Sequence, residues 1–352
     1  MIPLSIDPRM ISEADFPTHG TPAEKWSFLL HYAVLAPSEY NSQPWYFKIR
    51  GPICELYADY SRQLPVIDPD KRELLISCGA AFENVRIALR HFGYGEELDV
   101  CAVDDQSALF ARIKMGAPIA DVVGGQELFA AIQKRATNRN VFEERTIPED
   151  LLMRFEKLAG KEGVWVYRVA GKDLQAVSEL VAAGDRMQWE KKEFRHELAQ
   201  WVHGKSEVSE DGIPASSNGK GNVAGIANPL LVRTVNLGRA EAVRSQHLVT
   251  GAPLLLVLGT YSDVPADWFA TGQAMEKILL LACASGVQSS FVNQPIEVPV
   301  LRAQLHMMVG KYKIPQLVLR MGYGSDVPVT PRRSIDDVLL DIQQRPHVVY
   351  NL

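Results

Sequence analysis

The hydrophobic positions of this chain switch repeatedly between helical and strand spacing. The segment TPAE at 21–24 predicts a helix start, because Thr is a preferred N-cap, Pro fits the first helical position and Glu follows three residues after the cap. Apolar residues then recur at helical spacing until Ala36-Pro37 ends the helix. The apolar segments 45–49 and 53–57 flank the turn RGP and predict a hairpin.

The rest of the chain continues this mixture of periods. Helices are predicted near 70–91, 126–134, 148–158, 172–200, 239–250, 268–285 and 299–309, and strands near 98–103, 109–114, 164–169, 253–260, 288–293 and 315–323. Because helices and strands do not alternate regularly, we expect an α+β fold rather than a regular βαβ winding. A length of 352 residues is compatible with two domains or one large fused unit.

Residues 204–228 interrupt the pattern. They are rich in Gly, Ser and Asn and have almost no periodic apolar signal. A loop this long within a compact chain is usually a functional lid or disordered. We expect a lid and assign the insertion to 184–228, with disorder as the alternative.

Two long helical segments of the chain resemble each other. The segment GAAFENVRIALRHFG at 79–93 and the segment GQAMEKILLLACASG at 272–286 match at four positions, namely both glycines, the third-position Ala and the fifth-position Glu. Each half also has a Pro-led helix that runs to an aromatic strand. A repeat of this length indicates a duplicated domain rather than a solenoid. We therefore predict two related halves, 1–122 and 123–352, that pack as a pseudo-dimer.

The two halves differ in the polar segments that could carry chemistry. Only the first half has the loop SEYNSQ, and only the second has the lead RATNR and the tail TPRR, with no counterpart of RATNR recognised before Pro22. Arginine forks bind phosphate through two charge-assisted bonds, and a Ser/Asn/Gln loop offers donors and acceptors. Taken singly, the arginines could be a solvated helix end and a basic tail. Together they predict one composite site between the halves.

Composition and charge exclude several classes of protein. A net charge of −5 gives no nucleic-acid footprint, and the apolar runs are too short to span a bilayer. The start of the chain lacks the apolar region of a secretory signal. The four cysteines form no CxxC pair and no cluster with metal spacing. These features predict a cytoplasmic protein without a metal site.

The segment APSEYNSQPW at 36–45 closely resembles the APSxxNxQPW loop of the flavin-dependent nitroreductase family. RATNR resembles that family's Arg-x-Ser-x-Arg lead, with Thr in place of Ser, and RMGYG followed by TPRR resembles its closing strand and phosphate-binding tail. PIE at 295–297 resembles the segment that lies beside the flavin ring. The resemblance covers roughly 20–340, is weakest at 184–228, and points to the fused, internally duplicated branch of the family.

This resemblance implies an FMN cofactor, one per chain, and electron transfer from NAD(P)H through FMN to a small acceptor. It requires no acid or base side chain for catalysis. Arg135, Thr137 and Arg139 would bind the phosphate and ribityl chain, and Arg332 and Arg333 would complete the phosphate clamp. The full set of implied cofactor-binding residues adds Pro37, Ser38, Asn41 and Gln43 from the other half, together with Arg244, His247, Pro295 and Glu297. Glu39 departs from the family's second Ser, and we expect it to point away from the phosphate.

Two alternatives to an oxidoreductase stay open. The chain could sequester FMN under a closed lid with little reductase activity, or it could be an α+β interaction module without a cofactor. His203, near the expected lid, is more often a structural than a functional residue in such a position. The sequence leaves open further oligomerisation of the fused unit.

Overall fold

A computed structural model describes residues 7–100, 108–119, 125–204, 209–214 and 228–341. The helices within these residues are α1 (Pro22–Ala33), α2 (Arg72–His91), α3 (Gln126–Ile132), α4 (Glu149–Gly160), α5 (Lys172–Glu190), α6 (Lys192–Trp201), α7 (Pro229–Thr234), α8 (Gly238–Thr250), α9 (Pro265–Ala284), α10 (Gln294–Glu297), α11 (Pro299–Val309) and α12 (Ile335–Val338). The strands are β1 (Trp45–Arg50), β2 (Ile53–Ala58), β3 (Tyr94–Val100), β4 (Leu109–Pro118), β5 (Trp165–Val169), β6 (Val202–His203), β7 (Ile213–Pro214), β8 (Leu254–Thr260), β9 (Gln288–Phe291) and β10 (Ile314–Gly322). The predicted mixture of helices and strands is confirmed.

Element boundaries differ from the sequence predictions mainly at helix starts. The helix predicted from 268 begins at Pro265, where Pro occupies the first position and Asp267 accepts a bond from the Val264 N–H. That combination of Pro and a nearby carboxylate is an N-terminal signal that the apolar periodicity alone does not show. Helix α7 was not predicted, and the strand expected at 98–103 begins earlier, at Tyr94.

Two four-stranded antiparallel sheets repeat one spatial order. The first sheet has the order β1-β2-β4-β3 and the second β5-β8-β10-β9. When the strands of each sheet are counted along the chain, both orders read first, second, fourth, third. A helix of 20 residues, α2 or α9, follows the second strand of each sheet. The predicted boundary between 122 and 123 lies within 120–124, outside the described residues.

Chain segments distant in sequence extend both sheets. Leu339, 13 residues before the end of the sequence, forms a parallel bridge with Phe47 at the edge of β1, and the Leu340 N–H donates to the Phe47 carbonyl at 2.8 Å. Thr137, in the RATNR lead, bridges Ser289 at the edge of β9. The segment that follows the PRR tail and the RATNR lead are thereby each fixed against a sheet edge.

Helices α2 and α9 lie against each other through a glycine in each. A Cβ built on Gly79 would lie 2.1 Å from the Phe269 carbonyl oxygen, and a Cβ on Gly272 would lie 2.0 Å from the Ile76 carbonyl oxygen. The contact is reciprocal, since each glycine faces the carbonyl three residues before the other glycine. Apolar residues from both halves, including Trp26, Phe82 and Leu280, belong to one continuous buried core around this crossing.

Of the described residues, no helix combines the length and apolar character needed to cross a bilayer. Cys54 and Cys78 are buried free thiols, while Cys283 is partly exposed, and Cys101 lies outside the described residues.

We expect Gly272→Ala to destabilise the protein, because the new methyl group would meet backbone atoms that cannot rotate away. Overpacking of this kind costs about 1–3 kcal/mol. Gly160→Ala is the matched control, because Gly160 ends α4 with open space around its Cβ position and without a positive φ. Urea unfolding should show a lower free energy for Gly272→Ala and no loss for Gly160→Ala. Equal stabilities of the two variants would mean that α2 and α9 can separate freely.

Candidate active site

A cavity of about 250 Å³ is lined by residues from both the N-terminal and the C-terminal parts of the chain. Each half contributes a loop and helices: residues 37–41 with part of α2 on one side, and α5, α8, α10 and the RATNR lead on the other. The lining residues are Pro37, Ser38, Glu39, Tyr40, Asn41, Glu73, Ile76, Ser77, Thr137, Arg139, Asp185, Gln188, Trp189, Phe194, Leu198, Gly212, Ile213, Glu241, Arg244, Met275, Phe291, Asn293, Gln294, Glu297, Leu317, Pro328, Thr330 and Arg332. Pro37, Ser38, Asn41, Thr137, Arg139, Arg244, Glu297 and Arg332 were expected from the sequence as site residues.

The loop at 36–45 has an unusual backbone. Tyr40, Asn41 and Gln43 have φ values of 51°, 55° and 51°, in the left-handed region that costs non-glycine residues about 1–3 kcal/mol each. The Ser38 hydroxyl accepts from the Gln43 N–H at 2.9 Å and closes the turn. A strained backbone conformation persists only when surrounding contacts over-determine it. Other segments of the chain must therefore hold this loop.

The C-terminal tail holds the loop through paired hydrogen bonds. Arg332 Nη1 donates to Asn41 Oδ1 at 2.9 Å, and Asn41 Nδ2 donates to the Pro331 carbonyl at 3.2 Å. The Arg333 N–H donates to Gln43 Oε1 at 2.9 Å, and Arg333 Nη1 donates to the Gln43 carbonyl at 3.2 Å. The two motifs that the sequence singled out separately therefore form one unit.

Five of the sequence-predicted residues do not line the cavity. Gln43 is fully buried and Arg333 is occupied by Gln43 and by the Asp337 carbonyl, so both hold the loop rather than face the cavity. His247 lies on the exposed side of α8. Arg135 lies behind the lining, where Nη2 donates to the Leu35 carbonyl at 2.8 Å, and Pro295 is buried within α10. These five side chains are outside the cavity lining, and their direct contact with a cofactor stays a prediction.

Arginines crowd one side of the cavity. Burial lowers the pKa of Arg139, with Arg244 lowering it further and Glu39 opposing the shift. Burial likewise lowers the pKa of Arg320 to about 9, assisted by Arg244 and Arg139. Burial also lowers the pKa of Arg332, whose nearest cationic neighbours are Arg9 and Arg135. Mutual repulsion among buried guanidinium groups is relieved by an anion, so this side favours a negatively charged ligand.

Three carboxyl groups also converge at the cavity. Oxygens of Glu39, Glu73 and Glu297 lie within 4.8 Å of one another. Glu39 therefore lines the cavity, and the expectation that it points away from a phosphate stays a prediction. Its carboxylate is set by the left-handed turn at Tyr40 and faces the Arg139 charge, which a sequence pattern cannot show. Burial raises the pKa of Glu73 to about 8, Arg72 opposes that shift, and burial also raises the pKa of Glu39 and Glu297.

Side-chain donors form hydrogen bonds to two carboxyl groups of this cluster. Gln188 Nε2 donates to Glu297 Oε2 at 2.5 Å, Asn293 Nδ2 donates to Glu73 Oε1 at 3.2 Å, and Arg72 pairs with the same Glu73 oxygen at 2.9 Å. Like charges this close cannot all be ionised at low cost, so the cluster retains protons near neutral pH.

Part of the 184–228 insertion covers the cavity. Trp189, Phe194 and Leu198 on α5 and α6 form an apolar wall, and Gly212 and Ile213 line the cavity beside them. Residues 209–214 are fastened to the loop and tail, since Gln43 Nε2 donates to the Glu210 carbonyl at 2.8 Å. The remainder of the expected lid, 205–208 and 215–227, lies outside the described residues. His203 lies 3.6 Å from the Asp211 carboxylate, beside this covering segment.

Several site residues carried no usable sequence signal. Glu73, Asp185 and the residues of the apolar wall lie in segments with an ordinary helical pattern. Only tertiary packing brings them to the cavity.

Comparison with known proteins gives sequence relatives of nearly full length. The chain is 28% identical over 327 residues, 92% of its length and 93% of the relative's, to a putative NAD(P)H nitroreductase of Mycobacterium tuberculosis. It is 23% identical over 333 residues, 89% of its length and 92% of the relative's, to a probable NAD(P)H nitroreductase of Serratia. No family model matches the chain. These names support the nitroreductase-like resemblance across most of the chain.

Solved structures align less completely. An FMN- and NADPH-dependent nitroreductase from a Sphingopyxis strain aligns with a TM-score of 0.41 and 21% identity, covering 62% of this chain and 99% of that one.

The raised pKa of Glu73 predicts a loss of stability with rising pH. Its folded-state pKa of about 8 exceeds the value of about 4.3 for an unfolded chain, so its stabilising contribution is full below that lower value and is lost as the pH rises through the higher one. Glu73→Gln cannot ionise and should reduce the fall in unfolding free energy between about pH 5 and 8. Urea denaturation of the flavin-free protein measures this slope.

The matched control is Glu127→Gln, because Glu127 is an exposed partner of Arg154 away from the cavity lining. It should leave the pH slope unchanged. If the free energy of unfolding falls with pH as steeply in Glu73→Gln as in the unmodified chain, Glu73 is ionised in the folded state.

Proposed function

We propose that this chain is an FMN-dependent oxidoreductase of the nitroreductase type, which transfers electrons from NAD(P)H through FMN to a small acceptor. The observation that carries the proposal is the composite cavity, where the APSEYNSQPW loop of one half faces Thr137, Arg139 and Arg332 of the other. The nitroreductase-like relatives over most of the chain support the same reaction class.

The residues present fit FMN at both ends of the molecule. Arg332 Nε is buried and has no hydrogen-bond partner among the described residues, so a charge-assisted donor is available for a phosphate. Thr137 offers a hydroxyl on the same side, suited to the ribityl chain. The apolar wall of Trp189, Phe194 and Leu198 suits a flat aromatic ring, while Asn293 and Gln188 offer amides at its polar edge.

FMN would supply the redox chemistry, and the chain would supply binding, orientation and control of access. The strained loop fixes Ser38 and Asn41 before a ligand arrives, so little ordering cost remains at binding. The covering segments limit water in the cavity, which strengthens the electrostatic contacts within it. No acid or base side chain is assigned to the redox step.

The cavity's dependence on both halves supports a pseudo-dimer within one chain. The repeated strand order of the two sheets and the reciprocal glycine contact of α2 and α9 both favour an internal duplication. The loop occurs only in the first half and the RATNR lead only in the second, so we infer one FMN per chain. Residues 1–122 and 123–352 are the proposed halves, and a cytoplasmic location stays a prediction.

A flavin-holding protein with little reductase activity is the second candidate. The observation that favours it is the fastening of residues 209–214 over the loop by Gln43, and by the Arg62–Asp211 ion pair at 2.8 Å. A cover held by several bonds opens seldom, and an acceptor reaches the ring only when it opens.

The test of function begins with the flavin content of the purified chain, which should be one FMN per chain. Rapid mixing with NADPH should then bleach the flavin absorbance within seconds, and a nitroaromatic acceptor should restore it. Bound flavin that NADPH does not reduce would support the flavin-holding candidate. Absence of flavin, with no FMN binding on addition, would contradict both candidates.

The phosphate assignment predicts different effects for the two neighbouring arginines of the tail. Arg332→Ala should weaken FMN binding by roughly one to two orders of magnitude, because it removes charge-assisted bonds worth about 1.5–3 kcal/mol. Riboflavin binding should change much less, since riboflavin has no phosphate. Arg333→Ala is the matched control and should lower the melting temperature through loss of its bonds to Gln43 and Asp337.

Fluorescence titration with both ligands and thermal unfolding separate these effects. If Arg332→Ala weakens FMN and riboflavin equally, Arg332 supports the loop through Asn41 and does not bind the phosphate.

A further inference from the structure

Helices α5 and α10 are held together beside the cavity by paired amide and carboxyl groups. Gln294 Nε2 on α10 donates to Asp185 Oδ1 on α5 at 3.1 Å. Three residues further along both helices (188 − 185 and 297 − 294), Gln188 Nε2 on α5 donates to Glu297 Oε2 on α10. Gly184 permits this close approach, because a Cβ built there would lie 2.5 Å from the Cβ of Gln294. The packing of α5 on α10 therefore satisfies one carboxyl oxygen of Asp185, and the other oxygen needs a separate partner.

Three buried acceptor oxygens in this part of the cavity have no hydrogen-bond partner among the described residues. They are Oδ2 of Asp185 on α5, Oε1 of Glu241 on α8 and Oε1 of Gln294 on α10, and all three residues line the cavity. Asp185 is 5% exposed and Glu241 is 6% exposed, so bulk water reaches little of either side chain. Buried polar groups in folded proteins are nearly always hydrogen-bonded. Acceptors from three helices that line one cavity therefore indicate a ligand group that donates hydrogen bonds.

The charges around these oxygens are unbalanced in the same sense. The Arg244 guanidinium is divided between Glu241 Oε2 and the Arg139 carbonyl, each at 3.3 Å. The Arg139 charge interacts with Glu39, another carboxyl group of the lining. Burial raises the pKa of Asp185 to about 6, and the neighbouring Glu241 adds to that shift, so Asp185 is mostly ionised above neutral pH. Asp185 and Glu241 against the one guanidinium of Arg244 leave room for a positive charge.

We infer that Asp185, Glu241 and Gln294 form a subsite for a protonated amine carried by the electron acceptor. A primary ammonium group has three N–H donors and one positive charge, which match three unpartnered oxygens and an excess of one carboxylate. Trp189, one turn further along α5, belongs to the apolar wall, which suits the aromatic part of such an acceptor. The inference rests on the proposed function and names its substrate class, a small flat acceptor with a cationic nitrogen at one end.

The first test measures binding of two probes to the FMN-loaded chain slightly above neutral pH, without an electron donor. The probes are para-nitrobenzylamine, which carries the ammonium group, and para-nitrobenzyl alcohol, its neutral counterpart. The change in flavin absorbance on binding should show the amine bound about 10-fold more tightly than the alcohol, because its hydrogen bonds are charge-assisted. Asp185→Asn keeps the shape of the side chain but loses its charge, so the ratio of the two affinities should fall towards one.

Two further variants complete this test. Glu241→Gln removes the second carboxylate from a different helix and should also lower the preference for the amine. The matched control is Asp173→Asn, which makes the same substitution on α5 at a partner of Tyr167 outside the cavity lining. It should leave the ratio unchanged. A residue that only supports the fold would weaken both probes together and would not change their ratio.

A second test uses benzylamine and benzyl alcohol with the flavin-free chain. Benzylamine should raise the melting temperature more than benzyl alcohol does, and this difference should disappear in Asp185→Asn and persist in Asp173→Asn. If the chain binds no FMN but shows this difference, the amine subsite stands and the proposed function fails.

Two results would overturn the inference while the proposed function stands. In the first, the chain binds FMN and NADPH reduces it, but the amine and the alcohol bind equally, so water satisfies the three oxygens. In the second, Asp185→Asn weakens FMN and riboflavin alike and leaves the preference for the amine unchanged, which would assign Asp185 to the flavin ring.

Discussion

The close crossing of α2 and α9 is the constraint on which the cavity depends. Gly79 and Gly272 leave no room for a side chain, so the two backbones approach until each glycine meets a carbonyl of the other helix. Glu73 lies about two turns before Gly79 on α2 and reaches the cavity from one side, while Met275, just after Gly272 on α9, reaches it from the other. A wider crossing would separate the two halves of the lining, so a core packing contact sets the dimensions of the site.

Buried charge gives the cavity its chemical character. Arginines and carboxyl groups are both buried around the cavity, and like charges within each set raise the free-energy cost of burial. The two sets do not satisfy each other fully, because Arg332 and Glu73 each retain a buried polar atom without a hydrogen-bond partner among the described residues. A ligand that carries both a phosphate and a ring with polar edges would offer partners to both atoms.

The elements of the fold were predictable where periodicity and caps agree. Helix α1 has a Thr21 cap, a Pro at its first position and a reciprocal bond with Glu24, all visible in four consecutive letters. The repeat of α2 in α9 was visible through its two glycines and Glu83 with Glu276. The sequence could not show that Gly79 and Gly272 touch, because contact between residues 193 positions apart (272 − 79) is decided by packing and not by local pattern.

The site was predictable in its motifs but not in the role of each side chain. Gln43 and Arg333 belong to motifs expected to bind the cofactor, yet they bind each other and hold the loop. A sequence motif indicates which residue types occur together at a site. Their burial in the folded chain determines which of them face a ligand and which support the others. Glu39 shows the converse, because a left-handed backbone at Tyr40 turns its carboxylate into the cavity.

The distribution of the motifs bears on how many sites the proposed duplication would leave. In a symmetric pair, each half would need its own loop and its own arginine lead, and two cavities would result. In this sequence the loop is found at 36–45 and the lead RATNR at 135–139. Residues of both motifs line one described cavity, and Arg332 of the tail donates to Asn41 of the loop there. A duplicated chain with one site would therefore need only one copy of each motif, and the second copies would be free to diverge.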